Sequence, residues 1–184
     1  MHQPKMFKTM KTIFKTVLSF AIVTTIISCN GGKKEEAQDL TAPQGMRYFD
    51  ISKTGMNAYV LIPDSTVGIL DTSMQSSGEY LIKVGKDFQL SVIENNGDIK
   101  QRKTDIEADD VNKLKKYITE DSTTIMWQSG IADMNEFHFY HINRLGSRTY
   151  VFEDIKGEPF SEQAVQKMLD ACKKAQEKRV AEKS

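Results

Sequence analysis

Two segments of the chain, residues 87–106 and 136–155, alternate between apolar and polar side chains and turn near a glycine. Alternation with a period of two is the pattern of a strand that buries one face. In an ungapped alignment of the segments, Gly97 falls on Gly146, and glycine supplies the positive φ that a tight hairpin turn requires. The sequence therefore predicts two β-hairpins, which restricts the chain to folds built on an antiparallel sheet.

The rest of the chain extends this pattern. Each hairpin has a strand candidate before it, at 79–84 and 124–128, and a helical pattern after it. The two halves are therefore either an internal repeat of strands followed by a helix or a chance likeness. Three earlier strand candidates lie at 47–52, 58–62 and 67–70. The predicted fold class is α+β: an antiparallel sheet of about eight strands with two helices, in one domain at 46–184.

Two segments have the spacing of short amphipathic helices. In the first, Asp109 and Asp110 precede apolar residues at 111, 114, 117 and 118, which would place acidic side chains at the positive end of the helix. The second has Ser161 as its N-cap, with Phe160 and Val165 at the spacing of a hydrophobic staple. The apolar stripe of this second helix is Val165, Met168, Leu169, Cys172 and Ala175.

The second helix has to bury its stripe against one face of the sheet, and Phe137 and Phe139 are its expected partners there. The alternating residues Glu136, His138 and Tyr140 then point to the other face. If that face is open, the three form a patch for a partner, with Tyr140 as an exposed aromatic among polar neighbours. If the first helix covers the face, the same residues belong to the core or its rim.

The order of elements is similar to the fold shared by the PsbP photosystem subunit and the nuclear-import factor that binds the GTPase Ran. In that superfamily early hairpin strands end in a proline-containing turn, as at Ile62-Pro63-Asp64, and a final amphipathic helix closes the chain. The resemblance implies a PsbP-like topology and nothing about activity, because proteins of that fold bind varied partners.

The first 28 residues have the layout of a secretory signal peptide: four lysines, no acidic residue, and an uncharged run at 17–27. That run is too short to span a membrane, which takes about 20 apolar residues. Its end, Ile26-Ile27-Ser28-Cys29, resembles the lipobox of bacterial lipoproteins. The resemblance implies a diacylglycerol on Cys29, cleavage before it and acylation of the new amino terminus. In the alternative interpretation Cys29 is an ordinary residue of a buried helix. Met1, Met6 and Met10 are all consistent with translation starts.

Two acyl chains anchor a protein stably where one does not, so we expect a mature protein held on a bacterial membrane by Cys29. Residues 29–45, rich in glycine and charge, are predicted to be a flexible tether. The run Lys33-Lys34-Glu35-Glu36 resembles the charged tract of surface lipoproteins of the Bacteroidetes, although a plain solvated linker explains it equally. The expected location is the outer membrane, on its periplasmic or surface face.

Composition and motifs exclude several classes of function. Without its first 28 residues the chain has 21 basic and 25 acidic residues and no basic stripe, which argues against nucleic-acid binding. One cysteine, Cys172, then remains besides Cys29, so no intramolecular disulfide is expected and Cys172 should pack as a small apolar group. Phosphate-binding, nucleophile-elbow and dinucleotide motifs are absent from the sequence, and two alternating ligands do not hold a zinc ion. We therefore predict no cofactor, metal site or catalytic site.

Three functions remain. The first is a membrane-anchored binding or accessory module that is not an enzyme and presents one face of its domain to a protein or glycan partner. The second is a small envelope hydrolase that uses Asp71 with Glu136 or His138, which would require these side chains within about 3–10 Å of each other. The third is a structural or stress-related envelope protein.

Replacement of Cys29 by serine should abolish lipidation, because no other thiol lies at the end of the apolar run. Labelled palmitate and detergent phase partitioning measure this. Cys172→Ser is the matched control and should remain lipidated. A Cys29→Ser protein that still incorporates palmitate would contradict the predicted anchor.

Overall fold

The computed structural model describes residue 38, residues 40–131 and residues 134–179. These residues form ten strands, two α-helices and a short 3-10 turn at Ser52–Thr54. The elements are β1 Met46–Asp50, β2 Ala58–Pro63, β3 Leu70–Met74, β4 Tyr80–Val84, β5 Gln89–Glu94, α1 Ile99–Glu107, β6 Lys113–Glu120, β7 Thr124–Ile131, β8 Met134–Leu145, β9 Arg148–Asp154, α2 Glu162–Cys172 and β10 Gln176–Glu177. Among the described residues no helix has the length and apolarity needed to cross a membrane.

The strands form two antiparallel sheets. Seven strands pair in the order β3-β4-β5-β9-β8-β7-β6, and three pair in the order β1-β2-β10. The predicted α+β class with two helices is confirmed, whereas the single sheet of about eight strands is replaced by two sheets. The strand candidate at 67–70 lies further along the chain, as β3, and Val67 and Ile69 before it are exposed. The predicted PsbP-like topology remains a prediction.

The second predicted hairpin is confirmed. Strands β8 and β9 pair from Leu145 opposite Arg148 to Tyr140 opposite Glu153, and the turn between them contains Gly146 at φ 60°. The first predicted hairpin is wrong. Gly97 also has a positive φ, of 65°, but it leads into α1 rather than into a second strand. The two segments therefore differ in structure, and the internal repeat is not found.

The predicted helix after Asp109 and Asp110 is also wrong, because residues 113–120 form strand β6. The register between β6 and β7 shifts between Leu114 and Lys116 and again after Tyr117. The first shift lets Leu114 and Tyr117, three residues apart, pack against the same cluster. A bulged strand therefore reproduced the three-residue spacing of a helix.

The true first helix begins at Ile99 and is capped by Asp98, whose side chain accepts hydrogen bonds from the backbone N–H groups of Lys100 and Gln101 at 2.8 and 3.0 Å. This is the N-cap arrangement, which satisfies two of the free donors at a helix start. Helix α1 packs over the β6–β9 side of the large sheet, on a cluster made of Ile106, Ile125, Trp127, Tyr140 and Val151. One face of the sheet is thus covered by α1.

Helix α2 covers the opposite face, as predicted. Ser161 caps it by accepting a hydrogen bond from the Ala164 N–H at 3.2 Å, and the staple residues Phe160 and Val165 are both buried. Phe139 is fully buried beneath this helix, and Phe137 packs at the edge of the same core. Cys172 is completely buried there, and this burial raises the pKa of its thiol well above the usual value.

His141 lies on the α2 side of β8 and is buried, with Nδ1 3.0 Å from the Thr124 hydroxyl oxygen. Burial lowers its pKa below 6.5, and the nearby Lys173 ammonium lowers it further, against smaller opposing effects from the Thr123 backbone and Asp121. As the pH falls below about 6.5, the unfolded chain therefore takes up a proton that the folded chain resists.

The free energy of unfolding should accordingly be lower at about pH 5.5 than at about pH 7.5. His141→Asn, which keeps a polar atom near the position of Nδ1, should flatten this dependence. Thermal unfolding of both proteins across this pH range provides the measurement. The explanation would be wrong if wild type and variant lost stability equally.

Candidate functional site

A cleft of about 530 Å³ opens on the face of the sheet that α1 covers. It lies beside α1, the loop that follows it and the turn after β9. The volume falls in the range of roughly 300–1,000 Å³ that is usual for small-molecule sites. Its lining includes Arg102 and Asp105 of α1, Trp127 of β7, Glu136 and His138 of β8, and Lys156 of the turn.

The imidazole of His138 is fixed by hydrogen bonds at both ring nitrogens. Its Nδ1 lies 2.8 Å from Asp154 Oδ2, and its Nε2 lies 3.0 Å from the hydroxyl oxygen of Ser129. Because a carboxylate can only accept, Nδ1 carries the proton, and in this tautomer Nε2 accepts from the serine hydroxyl. Asp154 is buried, and its other oxygen accepts from the Phe139 N–H at 2.7 Å. The ring is therefore held in one orientation.

The hydrogen bonds link a serine to a histidine and the histidine to an aspartate, which is the order of groups in the hydrolase triad. Ser129, however, is 0% exposed and lies within strand β7, outside the lining of the cleft. A nucleophile has to reach the substrate carbonyl, and in hydrolases it is presented on an exposed turn. The arrangement therefore positions His138 and does not present a nucleophile.

Glu136 is a carboxylate without a hydrogen-bond donor in the described part of the chain. Its side chain is 14% exposed, and its Oε2 lies 3.7 Å from Nε2 of His138, the nitrogen that carries no proton in this tautomer. That ring nitrogen already interacts with Ser129. The carboxylate is therefore largely removed from bulk water and faces the cleft unpaired.

The α1 side of the cleft is held by Arg102. Its guanidinium forms an ion pair of 2.5 Å with Glu153 and lies over the rings of Trp127 and Tyr140, 5.5 and 5.4 Å from their centroids. Burial raises the pKa of Glu153, and the Arg102 charge acts in the opposite direction. Since Arg102 is engaged on three sides, it serves to join α1 to the sheet.

Trp127 stands beside His138 in the cleft. The two rings are 5.2 Å apart between centroids and tilted by 33°. Trp127 is 5% exposed and is the only tryptophan of the chain. Its indole N–H makes no hydrogen bond to any residue that the structure describes.

The structure brings Glu136 and His138 together in the cleft, as their alternation predicted. Tyr140 does not join them as an exposed aromatic: it is 7% exposed beneath α1, and its hydroxyl accepts from the Asp98 N–H at 3.1 Å. The expected open face with Tyr140 in a partner patch is therefore wrong, because α1 covers that part of the sheet.

Asp71 lies on edge strand β3, and β4, β5 and β9 separate it from β8. Four strand spacings of about 4.8 Å place these two strands roughly 19 Å apart. The hydrolase that would pair Asp71 with Glu136 or His138 is not compatible with this distance.

Sequence patterns alone did not point to four residues of the site: Ser129, Asp154, Trp127 and Arg102. The one available signal was strand register, since pairing β7 with β8 places Trp127 opposite His138 and Ser129 opposite Glu136.

Cys29 lies outside the described residues, so its lipidation remains a prediction.

Comparisons with protein-family models, with curated proteins and with solved structures found no match for this chain. Within the described ranges no three His, Cys, Asp or Glu side chains are grouped so that they could hold a metal ion. The site is therefore interpreted from its own geometry.

A fluorophosphonate probe should not label the native protein, because the Ser129 hydroxyl is buried and donates to His138. The measurement compares wild type with Ser129→Ala in gel-based labelling, after both have been shown to be folded. Labelling of the wild type that Ser129→Ala removes would contradict the positioning role and would establish Ser129 as a nucleophile.

Proposed function

We propose that this chain is a membrane-anchored, non-catalytic binding module of the bacterial envelope, and that its ligand site is the cleft around His138. The observation that carries the proposal is the preformed cleft whose central imidazole is fixed at both nitrogens by Asp154 and Ser129. The anchor is supported by the likeness of the sequence around Cys29 to a lipobox.

Binding accounts for the site better than catalysis does. A general base needs a free nitrogen within reach of its substrate, whereas both nitrogens of His138 already have partners. The hydroxyl that could act as a nucleophile is buried. A ligand in the cleft can contact the exposed part of His138, the Glu136 carboxylate and the Lys156 side chain at the rim.

A purely structural role accounts for the site less well. Polar groups in a structural core are expected to be hydrogen-bonded, as Asp154 is. Among the described residues Glu136 has no such donor, and it lies at a cleft large enough for a small molecule or for a side chain or sugar of a larger partner. An unpaired carboxylate at such a place is a feature of recognition rather than of packing.

The test uses the full chain purified from envelope membranes under native conditions, followed by mass spectrometry of what is bound. Asp105→Arg reverses the charge of an exposed α1 residue at the cleft, and Asp71→Arg makes the same change on the far edge strand. Wild type and Asp71→Arg should recover the same ligand. Asp105→Arg should recover at least about fivefold less, which corresponds to the loss of a modest charge interaction.

Equal recovery by all three proteins would place the ligand elsewhere and contradict the proposal. Repeated recovery of nothing by the wild type would contradict it as well. Circular dichroism of the two variants, which should match that of wild type, shows that the changes act on binding and not on folding.

A further inference from the structure

The cleft carries more negative than positive charge. Four carboxylates line it, at Asp105, Asp109, Glu136 and Asp154, against the two cations Arg102 and Lys156. Arg102 is committed to Glu153, which leaves Lys156 at the exposed rim. A cleft lined by an excess of one charge concentrates ligands of the opposite sign and repels those of its own.

Three of the four carboxylates already have hydrogen-bond donors. Asp154 accepts from His138 and the Phe139 N–H, Asp109 accepts from the backbone N–H groups of Val111 and Asn112 at 2.9 and 2.8 Å, and Asp105 accepts from Gln101 at 2.8 Å. Glu136 differs from them, since none of the described residues donates to it. An ionised carboxylate that has lost most of its water gains most from a charged donor, so Glu136 is the group that a cationic ligand would meet.

Trp127 provides a second, independent indication of a ligand. More than nine-tenths of this side chain is buried, it lines the cleft, and its indole N–H has no acceptor in the described part of the chain. The indole nitrogen keeps some accessible surface, and the tryptophan is one of the residues that line the cleft. An N–H of this kind is satisfied by an oxygen acceptor.

We propose that the cleft binds a small organic molecule that carries a protonated amine and a hydroxyl or carbonyl oxygen, with the amine on Glu136 and the oxygen on Trp127. This rests on the proposed function of the cleft as a ligand site. A metal ion does not fit, because the described residues supply no set of three ligands there. An anionic ligand does not fit either, because it would meet the unpaired carboxylate.

The experiment follows the fluorescence of Trp127, the chain's only tryptophan, during titration with three probes of equal length. They are 6-amino-1-hexanol, 1,6-hexanediol and 6-hydroxyhexanoate, which share a hydroxyl group and differ at the other end by a positive, neutral or negative group. The amine should bind wild type at least about tenfold more tightly than the diol, as expected for a charge-assisted hydrogen bond. The carboxylate should bind most weakly.

Two cleft variants and one control test the residue assignment. Glu136→Gln removes the charge with little change of shape and should reduce the preference for the amine to less than about threefold. Lys156→Gln removes the rim cation and should tighten amine binding. Asp71→Asn, on the far edge strand, should behave as wild type. Thermal unfolding of each variant confirms that it is folded.

Equal binding of amine and diol by wild type, or an unchanged amine preference in Glu136→Gln, would overturn the inference. If 6-hydroxyhexanoate bound most tightly of the three probes, the inference would also be overturned, although the cleft would remain a binding site. If none of the three probes changed the fluorescence of Trp127, the proposal of an amine ligand would be contradicted as well. The recovery experiment with Asp105→Arg would then still decide whether the cleft binds a ligand of another kind.

Discussion

The structure depends on the 12-residue strand β8, whose central residues 139–141 are buried on both faces of the sheet. Its alternate residues serve two different helices: Phe139 lies in the core under α2, and Tyr140 lies under α1. Helix α2 has 11 residues with one continuous apolar stripe. Helix α1 has only nine, which gives it a length of about 13.5 Å. It reaches Tyr140 and leaves His138 and Glu136 uncovered, so the cleft exists because α1 is short.

The two polar groups that α1 leaves uncovered, His138 and Glu136, differ in their hydrogen bonds. His138 is held in a chain of hydrogen bonds to Ser129 and Asp154, and such a network makes the core rigid when every member is satisfied. Glu136, two residues before it on the same strand, has no donor in the part of the chain that the structure describes. This contrast separates the scaffold of the site from the part that is open to a ligand.

Local signals in the sequence were enough to predict some elements and not others. Helix α2 could be predicted because its cap, Ser161, its staple and its stripe all lie within a few residues of one another. Strand β6 could not, because a bulge brings Leu114 and Tyr117 to one face and imitates a helix. The meeting of Ser129 with His138 and Asp154 depends on the register of three strands, and nothing local encodes that register. Glu136 and His138 were found since two residues on one strand need no register to share a face.

Gly97 determines how closely α1 approaches the sheet. It has φ 65°, and a Cβ there would lie 2.8 Å from the Ile142 side chain and 2.9 Å from the Tyr140 hydroxyl. Both distances are below normal contact distances, so a larger residue would have to displace the Ile142 and Tyr140 side chains, and the Tyr140 hydroxyl accepts from the Asp98 N–H at the start of α1. The hydrogen bond from the Asp98 N–H to the Tyr140 hydroxyl and the Arg102–Glu153 ion pair then hold the helix at that distance. The α1 wall of the cleft is thus fixed by contacts between the helix and the sheet, and a site that is already ordered loses little conformational entropy when a ligand binds.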